Sequence, residues 1–272
     1  ITRQGGRPPF AIQGTDNAKA ITYRLPVASA QVKSAILLAG LNARGTTTVI
    51  ESHPTRDHSE NMLRHFGVRV DVAKTEDGAD AISVTGGQRL LGCAVDVPSD
   101  PSSAAFPTVA ALINPGSEIK LLRVGINPRR IGLYETLMEM GAEITFENTT
   151  TDAGEPIANI VIKSTRPLKG VDVPAHRVPS MIDEFPVLAM AAACATGTTR
   201  MTDLAELRVK ESDRLLMVAN GLKACGVDLE MGDDWLTIHG TGKPPRGGAR
   251  IETALDHRIA MSFLVLGTVT EE

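Results

Sequence analysis

Apolar and polar positions along the 272-residue chain switch between a helical and a strand period, and the switching repeats. Helical spacing over Ser34-Ala35-Ile36-Leu37-Leu38-Ala39-Gly40 gives way after Gly45 to a β-branched run, Thr46 to Ile50, that predicts a strand. A loop around Arg56, an amphipathic helix from His58 to His65 and the segment Gly67-Val68-Arg69-Val70 complete this unit. The same order returns from Ser103: a helix through Ala110-Ala111-Leu112, a turn at Gly116, a strand from Glu118 to Val124, the loop Asn127-Pro128-Arg129-Arg130, a helix to Met140, and Gly141-Ala142-Glu143-Ile144. It returns again from Asp183 through Ala191-Ala192-Ala193, Gly197, the strand Thr198 to Thr202, a loop through Arg208, a helix to Ala224, and Gly226-Val227-Asp228-Leu229.

A fourth copy opens at Asp256-His257-Arg258, runs as a helical pattern to Gly267 and stops before its strand. The chain also starts at Ile1 rather than at Met, so a fragment, incomplete at both ends, is expected. Units of this size bury their apolar faces only against one another, which predicts an α/β fold of α+β repeats in layers around shared cores. The Pro- and Asp-containing stretch Val97-Pro98-Ser99-Asp100-Pro101 is the expected domain boundary, leaving residues 1–98 as the remainder of an N-terminal domain and 99–272 as a truncated C-terminal domain.

Charge narrows the function classes. The net charge of −4 is dispersed, and no basic patch is interleaved with aromatics, so a nucleic-acid partner is not expected. No uninterrupted apolar stretch approaches the ~18 residues of a membrane span and no signal peptide is legible, which predicts a cytoplasmic chain without a membrane partner. Cys93, Cys194 and Cys225 are odd in number and far apart, the pattern of reduced thiols, with Cys194 a buried residue of an Ala-rich helix. The six histidines, His53 and His58 among them, match no ligand spacing, so no metal is expected.

Four segments could carry chemistry. In Arg208-Val209-Lys210-Glu211-Ser212-Asp213-Arg214, read as the start of a helix, Lys210 and Arg214 are four apart and share a face. Such a like-charge pair costs a few tenths of a kcal/mol, and cations at a helix N-terminus oppose its dipole, so an anion is wanted there. A solvated helix with Arg208 paired to Glu211 and near Asp213 is the alternative. Glu211 serves in proton transfer only where burial offsets the surrounding cations. Ser29-Ala30-Gln31-Val32-Lys33 either offers helix N-terminal donors to a phosphate or contains a plain N-cap at Ser29. Ser180-Met181-Ile182-Asp183-Glu184-Phe185-Pro186 fits a capping box with Pro186 in the first turn, and Asp183 would be a general base only if it faces a hydroxyl. In Asp256-His257-Arg258, Arg258 could fork onto a carboxylate with Asp256 orienting it, or the pair could be a cap and a surface ion pair.

Together with Asp100-Pro101-Ser102-Ser103-Ala104-Ala105-Phe106-Pro107 and Asp256-His257-Arg258-Ile259-Ala260-Met261, these segments, in this order and over essentially the whole chain, resemble the 3-phosphoshikimate 1-carboxyvinyltransferase family. The Arg208–Arg214 run and the Asp256–Met261 run carry most of the specificity. Ser29-Ala30-Gln31-Val32-Lys33 is similar to the glyphosate-tolerant subclass, whose usual Asn-Pro-Thr-Arg is replaced here by Asn127-Pro128-Arg129-Arg130.

The resemblance implies an enolpyruvyl transferase-like fold of two domains, each of βαβαββ repeats. It implies transfer of the enolpyruvyl group of phosphoenolpyruvate to the 5-hydroxyl of shikimate 3-phosphate in aromatic amino-acid biosynthesis, without cofactor or metal, in a monomer. Position by position, Ser29, Ala30, Gln31 and Arg56 would hold shikimate 3-phosphate, with Gln31 also near phosphoenolpyruvate. Asp183 would take the hydroxyl proton, Lys210 would bind that hydroxyl, and Glu211 would exchange a proton with the methylene carbon. Arg214 and Arg258 would grip the phosphoenolpyruvate carboxylate. The family's Gly-Asp-Lys-Ser segment and a further Arg-containing segment match nothing in residues 1–272, so this chain alone is expected to be nearly inactive. A UDP-N-acetylglucosamine enolpyruvyl transferase would use a reactive loop Cys, for which none of the three cysteines has the setting; a non-catalytic binding module is the other alternative.

Overall fold

Strands with one wet face and helices with one apolar stripe must share a core, and here each repeat solves that problem the same way. The computed structural model describes residue 11 and residues 13–271. The chain divides into two compact units, Ile1–Ala94 and Val95–Glu272.

The first unit holds one repeat: β1 (Thr22–Arg24), α1 (Ala30–Gly40), β2 (Thr46–Glu51), α2 (His58–His65), β3 (Val70–Lys74) and β4 (Asp80–Thr85). Its sheet runs β1-β2-β4-β3, with β1 parallel to β2 and the other pairs antiparallel. The period-2 pattern of β2 buries Thr47, Val49 and Glu51, and that of β4 buries Asp80, Ile82 and Val84. Leu37 of α1 and Leu63 of α2 close over this face, while Thr46 with Thr85 and Thr48 with Ser83 pair hydroxyls on the other.

The second unit begins with α3 (Pro101–Ile113), β5 (Glu118–Gly125), α4 (Gly132–Glu139), β6 (Glu143–Asp152) and β7 (Glu155–Lys163), forming the sheet β5-β7-β6. Where a leading strand would stand, only Ser99 bridges Val124 in parallel. Pro98 and Pro101 flank it, and residues without N–H donors cannot extend a ladder. The next repeat has its leading strand: β8 (Asp172–Val173), α5 (Phe185–Cys194), β9 (Thr196–Met201), α6 (Arg214–Ala224), β10 (Asp228–Met231) and β11 (Leu236–Thr241). Its sheet order, β8-β9-β11-β10 with β8 parallel to β9, repeats that of the first unit. The helix α7 (His257–Gly267) follows.

In α5 every residue from Phe185 to Ala193 is buried, as expected of a helix apolar all round. It packs on α3 and α7, so the first helices of three successive copies form the core of the unit. The Cys194 thiol at its end is pushed up to about 12 by burial, Cys225 is buried, Cys93 is exposed and none is in a disulfide. No helix among the described residues is long and apolar enough to cross a membrane.

Two local expectations are corrected. Lys210 and Arg214 do not share a helical face: a 3-10 turn spans Ala205–Val209, Lys210 is extended, and α6 starts only at Arg214 with Asp213 as its cap. Ser180 is not part of a capping box, because its hydroxyl donates to the Arg177 carbonyl and α5 begins at Phe185 after a 3-10 turn over Ile182–Glu184. Pro186 does occupy the first turn of α5.

Side chains cap four of the other helix starts. Ser29, Asp100 and Asp213 accept backbone N–H bonds from α1, α3 and α6. Asp256 caps α7 through the Arg258 N–H, and its carboxylate also receives the Arg214 Nε at 2.8 Å and the Ser212 hydroxyl at 2.9 Å. Burial alone would raise the Asp256 pKa, but the bonds from Arg214, Ser212 and the Arg258 N–H outweigh it and hold the carboxyl below the usual range.

Two outcomes follow from this packing. A Cβ on Gly240 of β11 would lie 2.2 Å from the Ala195 carbonyl oxygen and 2.5 Å from that of Ala192, at the end of α5. Gly240→Ala is therefore expected to cost about 2 kcal/mol, read as a lower urea midpoint; an unchanged midpoint would refute the close approach. Asp256→Asn keeps a capping oxygen but removes the charge facing buried Arg214, with an expected loss of about 3 kcal/mol at pH 7. Because the folded-state pKa of Asp256 is depressed, this stabilisation exists above the unfolded value near 3.8 and fades as the pH falls through the folded one. The gap between wild type and Asp256→Asn should shrink below about pH 4, and a gap constant from pH 7 to 3 would contradict it.

Candidate active site

The residues singled out by sequence form two sets, one in each unit. In the first unit, Ser29 is the N-cap of α1, accepting from the Val32 N–H at 3.3 Å, so its capping role is real. Ala30 opens the helix, and the exposed Gln31 presents its amide one residue on, with its oxygen 3.5 Å from the Ser29 hydroxyl. Arg56 is half-buried in the loop between β2 and α2. The Thr55 carbonyl beside it lies 3.5 Å from the Lys33 amine of α1, so loop and helix start are neighbours. First-turn N–H groups beyond the one that Ser29 caps, a positive dipole end and a guanidinium loop are what an oxyanion requires.

In the second unit three helix starts converge. Asp183 sits in the 3-10 turn before α5, and two cations meet its carboxylate: Arg214 Nη1 at 3.1 Å and Lys210 Nζ at 3.7 Å from Oδ1. Arg258, in the first turn of α7, donates from Nη1 to the Asp183 carbonyl oxygen at 3.1 Å and lies 3.5 Å from Glu184 Oε1. Lys210 also pairs with Glu206. Asp183, Lys210, Arg214 and Arg258 are thus brought together although 75 residues separate the first from the last.

Arg214 has 0% exposure and is held by three carboxylates. Asp256 takes Nε at 2.8 Å and Nη2 at 3.4 Å in the two-pronged manner suited to a guanidinium, and Glu211 takes Nη2 at 2.5 Å. The anion that the sequence seemed to require from outside is therefore already supplied from within. Glu211 itself is 60% exposed, so the burial on which its proton-transfer role depended is not present in the chain. Arg208 pairs with Asp213 at 2.9 Å rather than with Glu211, and its remaining donors take the Gly232 and Asp233 carbonyls, fastening the hairpin between β10 and β11.

Sequence reasoning missed a second charged knot beneath this surface. Glu184 is buried and accepts from the Ser102 hydroxyl of α3; Arg130 Nη2 bonds the same hydroxyl and lies 3.7 Å from Glu184 Oε1. Burial pushes the Glu184 carboxyl above the ordinary range, against the opposing pull of Arg130, Ser102 and Arg258. The pairing of Asp256 with Arg214 rather than with the Arg258 guanidinium was also missed. The one available signal was Glu184 beside Asp183, two acids in an apolar run; its partners lie in other repeats.

The whole chain, residues 1–272, matches the family described as EPSP synthase (3-phosphoshikimate 1-carboxyvinyltransferase). It is 62% identical over 267 residues to a 3-phosphoshikimate 1-carboxyvinyltransferase of Paramagnetospirillum magneticum, covering 98% of this chain and 60% of that protein. It is 56% identical over 272 residues to one of Rhodospirillum rubrum, covering 100% and 60%. An EPSP synthase structure from Acinetobacter baumannii superposes with a TM-score of 0.87 at 50% identity, over 99% of this chain and 61% of that one. The chain thus spans about 60% of the length of these curated relatives. With every residue matched and identities of this size, the chain belongs to the EPSP synthase (3-phosphoshikimate 1-carboxyvinyltransferase) family.

Proposed function

We propose that the chain forms part of an enzyme, of its relatives' length, that transfers the enolpyruvyl group of phosphoenolpyruvate to the 5-hydroxyl of shikimate 3-phosphate and releases phosphate. The observation that carries this reading is the meeting of Lys210 and Arg214 on the Asp183 carboxylate, with Arg258 on the carbonyl of the same residue. A base held among three cations suits a reaction between two anions in which a hydroxyl must lose its proton.

In this mechanism Ser29, Gln31 and Arg56 hold shikimate 3-phosphate, and Lys210 orients its 5-hydroxyl toward Asp183. The Asp183 carboxylate accepts the hydroxyl proton as the oxygen bonds C2 of phosphoenolpyruvate. Arg258 receives the phosphoenolpyruvate carboxylate directly. Arg214 has its Nε and one face fixed by Asp256, so the substrate carboxylate reaches it by replacing Glu211 on Nη2. Released from Arg214, the exposed Glu211 carboxylate takes a proton from solvent and gives it to the methylene carbon, forming a tetrahedral adduct. Return of a methyl proton to Glu211 and cleavage of the bond from C2 to the phosphate oxygen then regenerate the alkene and expel phosphate, which leaves with the proton first held by Asp183.

Both tests use the chain extended to the length of its relatives. Asp183→Asn is expected to lower kcat about a thousandfold, the scale of a lost general base, with the Kd for shikimate 3-phosphate within about threefold of wild type. An unreduced kcat would end the assignment, and the absence of turnover in the wild-type enzyme would end the reading as a whole. Arg258→Lys keeps the charge but loses the planar fork, and the KM for phosphoenolpyruvate should rise about tenfold; an unchanged KM would remove Arg258 from the substrate carboxylate.

A further inference from the structure

Lys33 closes the motif that begins at Ser29, yet the reaction described above gives it no part. Its side chain has 0% exposure, and its amine lies 2.8 Å from Glu60 Oε1 and 3.1 Å from Glu51 Oε1. One buried cation thus faces two buried carboxylates, and Glu60 Oε2 has no hydrogen-bond partner among the described residues. Such a cluster is a poor source of stability: apolar side chains of similar volume would stabilise as well or better, as Leu37, Val49 and Leu63 do in the same core. What charges supply and methyl groups do not is direction.

That direction leads to the loop of Arg56. Glu51, the last residue of β2, accepts the Thr55 hydroxyl at 2.6 Å and the Thr55 N–H at 3.3 Å on Oε2, while Lys33 holds its other oxygen. Lys33 is one helical turn beyond Ala30, and Thr55 is the residue before Arg56. A continuous, buried set of bonds therefore runs from the start of α1 through Lys33, Glu51 and Thr55 to Arg56, and Glu60 ties the start of α2 into it.

We propose that Lys33, Glu51 and Thr55 are positioning residues for shikimate 3-phosphate: they set the spacing between the N-terminal donors of α1 and the Arg56 guanidinium without touching the substrate. This inference rests on the reading that Ser29, Gln31 and Arg56 hold that substrate.

Replacing Lys33 would strand two buried carboxylates and endanger folding, so the informative change is smaller. Thr55→Val conserves shape and deletes the hydroxyl bond to Glu51, whereas Thr55→Ser keeps it. In the chain extended to its relatives' length, Thr55→Val is expected to raise the Kd and KM for shikimate 3-phosphate about tenfold, the scale of one lost bond to a charged group. The KM for phosphoenolpyruvate and kcat should stay within about twofold, and Thr55→Ser should restore the wild-type Kd. An unchanged Kd in Thr55→Val overturns the proposal, as does an equal rise in both KM values that Thr55→Ser fails to rescue, the mark of a merely structural contact. If wild-type enzyme itself binds no shikimate 3-phosphate in the same titration, the functional reading fails first and this inference falls with it.

Discussion

A guanidinium with no solvent contact is the constraint around which the second unit is arranged. Stripping Arg214 of water costs several kcal/mol unless nearly all of its donors are met, and they are met by carboxylates from three places in the sequence. Asp256 brings the start of α7, Asp183 brings the turn before α5, and Glu211 brings the segment before α6. The same bonds answer a second difficulty, a cation at the first position of α6 where the helix dipole disfavours it. Asp213, capping that helix, adds a further negative group at the same end. Once Arg214 is fixed, the separation of Asp183, Lys210 and Arg258 is fixed with it.

The repeats were legible because they are written in features that single residues control: the change of period from helix to strand, the glycines that turn the chain, and polar caps before apolar helices. Gly45, Gly116, Gly141, Gly197 and Gly226 all have positive φ, and each stands where the sequence placed a turn. The site was legible only as a set of residues. Spacing put Lys210 and Arg214 on one helical face, but the backbone at Lys210 has ψ near −156°, and the two cations reach Asp183 from outside a common helix. A charged run reads as a helix start until its hydrogen bonds are known, since the same residues suit a 3-10 turn followed by a cap.

The pairings were illegible for a different reason. Asp256 meets Arg214 across 42 residues and Glu184 meets Ser102 across 82, so no local pattern connects them. Lys33 is the sharper case. By composition it is a surface lysine on an amphipathic helix, and its burial becomes intelligible only when β2 and α2 bring Glu51 and Glu60 to it.

Each repeat places an arginine in the loop between its second strand and its second helix, and each anchors that loop differently. The Arg56 loop is held through Thr55 by Glu51, Arg130 is held by Ser102 and Glu184, and Arg208 is held by Asp213 and two carbonyls of a hairpin. The position is set by topology, because the loop always emerges at the end of the sheet where the first helix begins. The use made of it is set by partners. Arg208 fastens a hairpin and Arg130 meets a buried carboxylate, while the Arg56 loop is tied to the end of β2 through Thr55. A repeated fold can in this way keep one geometry and anchor the same loop by different partners in each copy.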